Sequence, residues 1–88
     1  MKQFYVEVFR AGHMCFDTTL MKPSDALVLA DELMEVFVKA TYDAQVYTDV
    51  LADHTDVGDG YEIMVYELAK SENETDKCHR HIIIKQGE

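Results

Sequence analysis

Basic residues are scarce in this sequence: 8 Lys and Arg stand against 17 Asp and Glu, a formal net charge of −9 over 88 residues. Phosphate contacts need a basic surface, so direct nucleic-acid binding is not expected. No uninterrupted apolar run approaches the roughly 18 residues of a membrane-spanning helix. The first residues, Met1-Lys2-Gln3-Phe4-Tyr5, lack the apolar run and small-residue cleavage site of a signal peptide. Cysteine occurs only at Cys15 and Cys78. Two cysteines are not a disulfide framework, so reduced thiols and a cytoplasmic location are the expectation, without membrane association. A Gly-rich phosphate loop and a nucleophile elbow are both missing. What is plentiful is apolar residue: the 48% fraction is too high for a disordered acidic tail, and the length suits one domain over residues 1–88.

The negative charge is concentrated. Residues 1–24 carry a net +1, residues 25–76 a net −12 and residues 77–88 a net +2. Folded into one small domain, the middle segment becomes a negative surface belt. Such a belt repels nucleic acid and anionic lipid and attracts basic partners.

Periodicity divides the chain into six elements. Residues 3–10 alternate as a strand, with Phe4, Val6 and Val8 on one face and Tyr5, Glu7 and Phe9 on the other. Ala11-Gly12 is a turn. Residues 13–20 return as the second strand of a hairpin, with Met14, Phe16 and Leu20 on one face and His13, Cys15 and Asp17 on the other. Pro23 opens a helix that runs to about residue 40, because its missing N–H is not needed in the first turn and Asp25 complements the positive end of the dipole. Ala26, Leu29, Ala30, Leu33, Met34, Val36, Phe37 and Ala40 form its apolar arc. Asp25, Asp31, Glu32, Glu35 and Lys39 occupy the remaining face, with Val28 among them. Further strands are expected at 44–51, 61–69 and 79–85, separated by turn-rich acidic loops at 53–60 and 70–77. The fold class is therefore α+β: a mostly antiparallel sheet of about five strands, in the order β-β-α-β-β-β, with one amphipathic helix on one face.

One helix covers only one face of such a sheet. The second face still carries Tyr5, Phe9, Tyr47, Met64 and Tyr66. These residues are either amphipathic surface or an interface, covered by a partner or by a second copy in a homodimer.

Candidate chemistry is sparse. His13 and Cys15, and His79 and His81, stand two apart on predicted strands, where such residues share a face. Brought together, the four are a nitrogen and sulfur set suited to Zn²⁺. Asp53, Asp56 and Asp59 with Gly58 and Gly60 fall every third residue, which is not the alternate spacing of an EF-hand. Cys15 with His13 or His54 lacks an orienting third group and an oxyanion hole. No enzyme, catalytic residue, metal or cofactor is expected. The remaining candidate is an acidic strip of Asp25, Asp31, Glu32, Glu35, Asp49, Asp53, Asp56, Asp59 and Glu62, whose carboxylates can occupy a basic channel in place of nucleic-acid phosphates.

In size, acidity, hairpin-then-helix layout and want of a catalytic motif, the whole chain resembles the small acidic proteins with which bacteriophages block host defence, the anti-CRISPR and DNA-mimic inhibitors. That class has no defining motif, so the resemblance carries no residue over. It implies a non-catalytic protein that binds a partner with a basic surface in the host cytoplasm and inhibits a nucleic-acid-binding complex or nuclease. The runner-up reading is a homodimeric structural or accessory protein that uses the second sheet face, and the reading from another class is a small zinc-binding protein.

Overall fold

The computed structural model describes residues 1–50 and 57–87. The elements are β1 (Phe4–Arg10), β2 (His13–Asp17), α1 (Pro23–Ala40), β3 (Ala44–Tyr47), β4 (Tyr61–Glu67) and β5 (Lys77–Gln86). The strands form one five-stranded sheet in the order β2-β1-β4-β5-β3, and every neighbouring pair is antiparallel. The expected α+β architecture and element order are therefore present. Among the described residues, no helix is long and apolar enough to cross a membrane.

Local chemistry explains the hairpin and the helix. Ala11 and Gly12 both have positive φ, 51° and 80°, the pair of left-handed residues that a two-residue turn needs to match strand twist. Helix α1 starts at Pro23 and carries Asp25 in its first turn and Lys39 in its last, both favourable to the dipole. Its 18 residues span about 27 Å, enough to cross a sheet about 19 Å wide. The chain thus leaves β2 at one edge, crosses the sheet in α1 and enters β3 at the opposite edge.

The core lies between α1 and one sheet face. Phe4, Val6 and Val8 of β1, Ile63 and Val65 of β4, and Ile82 and Ile84 of β5 are buried there with Ala26 and Ala30 of α1. The two alanines let the helix backbone approach the sheet. Leu29, Leu33, Met34 and Phe37 complete the packing, and Phe37 stacks on Tyr61 with ring centroids 4.4 Å apart. Two members of the expected arc do not join it. Val36 is 58% exposed and Ala40 is also exposed, while Leu27 and Val38 pack against the core instead. The sheet engages an arc rotated toward the Leu27 side, and hydrophobicity alone did not mark its centre.

The strands differ from expectation at two bulges. In β2, Phe16 lies opposite Val8 but Met14 lies opposite Phe9, which leaves Cys15 as the extra residue. Met14 and Phe16 therefore lie on opposite faces, not on one, and so do His13 and Asp17, which oppose Arg10 and Glu7. In β5, Arg80 lies opposite Val65 and Cys78 opposite Tyr66, so His79 is the extra residue. The third strand is shorter than expected. It ends at Tyr47, Asp49 turns left-handed with φ 59°, and Val50 then donates its N–H to the His81 carbonyl. Leu51 lies outside the described residues.

Candidate functional site

Residues directly opposite in an antiparallel pair share a face. On the face turned away from α1, the register places Tyr5 against Tyr66, Glu7 against Met64 and Phe9 against Glu62. It continues with Met64 against His81 and Glu62 against Ile83, and Ile83 against Tyr47. Four of the five expected second-face residues, Tyr5, Phe9, Met64 and Tyr66, therefore meet on the adjacent strands β1 and β4. Each is half-buried. Tyr5 and Tyr66 stack with ring centroids 5.3 Å apart, and the Tyr66 hydroxyl donates to Met64 Sδ at 3.1 Å. Tyr47 shares the face but stands apart on β3, beyond β5, where Lys85 Nζ lies 5.2 Å from its ring centroid.

Carboxylates surround this aromatic patch. Glu7 lies between Tyr5 and Phe9 along β1, and its carboxyl is held above the ordinary range by burial first and then by Asp17 and Asp76. The Tyr5 hydroxyl donates to Asp76, whose other oxygen accepts the Ala69 N–H at 2.7 Å. These two bonds tie the loop before β5 to the face. They hold the Asp76 carboxyl below its ordinary range, the Tyr5 bond contributing most. Burial pushes the phenols of Tyr5 and Tyr66 upward, and Asp76 adds to the effect on Tyr5. Glu62 completes the set, with Oε2 2.8 Å from His81 Nε2 in a mostly buried pair.

The expected acidic strip divides between the two sides of the sheet. Asp25, Asp31, Glu32 and Glu35 are exposed on α1. Asp49 is exposed on the same side, where Arg80 pairs with Asp31 at 3.2 Å and with Asp49 at 3.7 Å. Asp59 is exposed in the turn before β4. Glu62 does not belong with them, because strand alternation turns it to the opposite face. Asp53, Asp56 and His54 lie outside the described residues.

The four-ligand metal arrangement does not form. Strands β1 and β4 stand between β2 and β5, so His13 and Cys15 are separated from the other pair by three strand spacings, about 14 Å. A zinc ligand atom must lie about 2 Å from the ion. The bulge also separates His79 from His81. His79 packs on Phe4 with centroids 4.7 Å apart and meets Glu67 at 2.7 Å, on the helix side, whereas His81 meets Glu62 on the other. Among the described residues, no group of three or more metal-capable side chains gathers. Cys15 and Cys78 are free thiols on non-adjacent strands, and burial raises the Cys78 thiol above its ordinary value.

Sequence alternation already placed Glu7 beside Tyr5 and Phe9. Asp76 and His81 carried no such signal, since one sits in a polar loop and the other follows a bulge. No family model matches the chain, and no curated protein or solved structure is similar to it.

Proposed function

We propose that this chain is a non-catalytic binding protein that docks a basic protein surface on the sheet face opposite α1. The observation that carries the reading is the contiguous patch of Tyr5, Phe9, Met64 and Tyr66 with the Glu7, Glu62 and Asp76 carboxylates around it. Aromatic side chains supply contact area at little entropic cost, Met64 adapts its shape to what it meets, and the carboxylates select Lys and Arg, which can also lie over the Tyr rings. The exposed Asp25, Asp31, Glu32 and Glu35 add long-range attraction that speeds encounter. Protein surfaces that hold nucleic acid have the matching charge, so the bound partner loses its nucleic acid. That outcome agrees with the resemblance to small acidic phage-encoded inhibitors. The free thiols agree with action in the cytoplasm. A homodimer through this same face is less favoured, because it would press Glu7 and Glu62 of one copy against those of the other.

A fluorescently labelled Arg-rich peptide tests the reading by anisotropy. It binds at low salt, and added salt weakens binding because the charges are screened over about 10 Å at 0.1 M. Duplex DNA does not bind. Phe9→Ala and Tyr66→Ala each weaken binding about tenfold or more, as loss of an aromatic anchor does. Reversal of Asp31, Glu32 and Glu35 to Lys slows association and leaves dissociation nearly unchanged. Wild-type affinity in both aromatic variants would remove this face from recognition.

A further inference from the structure

Among the described residues, His81 is the only polar or ionisable residue that the fold buries. It is followed on β5 by Ile82, Ile83 and Ile84, all buried as well. The register turns it to the docking face, opposite Met64 and diagonal to Glu62. His81 Nε2 and Glu62 Oε2 lie 2.8 Å apart, and the two side chains are only 8% and 12% exposed. An apolar pair of the same volume often serves a fold as well or better, so stability alone does not account for this one. Its position offers another reason. Glu62 lies opposite Phe9, and Met64 belongs to the aromatic patch, so the pair borders the surface that receives the basic partner.

We infer that protonation of His81 weakens the docking of a basic partner, a regulation that rests on the docking reading above and makes the face release its partner as pH falls. Histidine changes charge between pH 5 and 8. Its Nε2–H can donate to Glu62 in either state. With neutral His81 the pair carries the whole negative charge of Glu62, which attracts Lys and Arg. With protonated His81 the pair has no net charge, and the added cation repels them. Both side chains are nearly withdrawn from solvent, so salt screens the change little. The other groups on this face do not replace His81 in the role. Burial raises the phenols of Tyr5 on β1 and Tyr66 on β4 and the thiol of Cys78 on β5, so all three stay neutral between pH 5 and 8. Lys85 of β5 lies over the Tyr47 ring of β3, toward the far edge of the sheet. The carboxylates Glu7 and Asp76 also lose charge in acid, Asp76 the later because Tyr5 and the Ala69 amide hold it low. Their effect has the same sign, and a variant at His81 separates it.

Anisotropy with the labelled Arg-rich peptide at pH 8 and pH 6, at one ionic strength, tests the inference. The guanidinium groups of the peptide stay charged throughout. Wild-type affinity falls about tenfold from pH 8 to pH 6, within the usual span of coupling between two sites. His81→Gln keeps a side-chain donor for Glu62 without a titrating charge, and its affinity falls by less than about threefold over the same step. Circular dichroism confirms that the variant folds. A second measurement needs only the wild-type chain. Coupling is reciprocal, so saturating peptide lowers the titration midpoint of His81 by about one pH unit, the equivalent of that tenfold change. Imidazole proton signals in NMR spectra report the midpoint. Affinity that is equal at the two pH values would overturn the inference and leave the docking reading standing. So would a decline that His81→Gln retains in full, or a His81 midpoint that the peptide does not move. Absence of binding at both pH values would remove the docking reading and this regulation with it.

Discussion

Ile63 occupies the centre of β4, opposite Val8 on one side and Ile82 on the other, and is completely buried. Ile63→Ala removes three carbons from that position. At about 0.8 kcal/mol per buried carbon, the lost transfer free energy is about 2.4 kcal/mol. The neighbours are β-branched side chains fixed to paired strands, so the site collapses only in part. A residual cavity of about 50 Å³ adds about 1.2 kcal/mol at about 24 cal/mol per Å³. The expected loss of about 3.6 kcal/mol is a large share of the roughly 4–13 kcal/mol typical of a chain this long. Val36→Ala is the control, since Val36 is 58% exposed on the helix. It loses little packing and gains helix propensity, so its stability changes by less than about 0.5 kcal/mol. Urea denaturation followed by far-ultraviolet circular dichroism reads both variants. The midpoint should fall sharply for Ile63→Ala with an unchanged slope, and stay near wild type for Val36→Ala. A loss below about 1 kcal/mol for Ile63→Ala would refute the placement of the core. Equal losses in the two variants would refute the face assigned to the helix.

Two further outcomes concern the carboxylates of the docking face. Burial, then Asp17 and Asp76, raise the Glu7 carboxyl, so its contribution to stability is full below the ordinary carboxylate range and is lost as pH rises through its folded value. Glu7→Gln should therefore be more stable than wild type at pH 7 and nearly equal at pH 4, and thermal melts showing no such gain at pH 7 would contradict this. Asp76 has the opposite sign: Tyr5 and the Ala69 amide hold its carboxyl low, so its contribution is present above the ordinary range and is lost as pH falls through its folded value. Hydrogen-exchange protection of the Ala69 amide should fall in acid and in Asp76→Ala, and the Tyr5 phenol should titrate at lower pH in that variant. Unchanged protection would show that Asp76 does not hold the loop.

Much of the architecture was legible in short stretches of sequence. Pro23 and the apolar spacing from Ala26 to Phe37 mark a helix whose observed limits are Pro23–Ala40. Alternation in residues 4–9 separates Phe4, Val6 and Val8 from Tyr5, Glu7 and Phe9, and the sheet keeps them on opposite faces. These features depend on the geometry of one element, in which side-chain direction repeats with the helix or strand period. The tertiary structure alone decided the rest. Strand order separates β2 from β5 and so dissolves the His and Cys set. The bulges at Cys15 and His79 reverse the faces that plain alternation assigns. Glu62 leaves the acidic strip for His81, and Asp76 reaches Tyr5 across 71 positions of chain. Each of these depends on which distant backbone supplies the hydrogen-bond partner, and no local period encodes that choice. It is made by the collective burial of Val6, Val8, Ile63, Val65 and Ile82 under one helix, to which the face opposite that helix is subordinate.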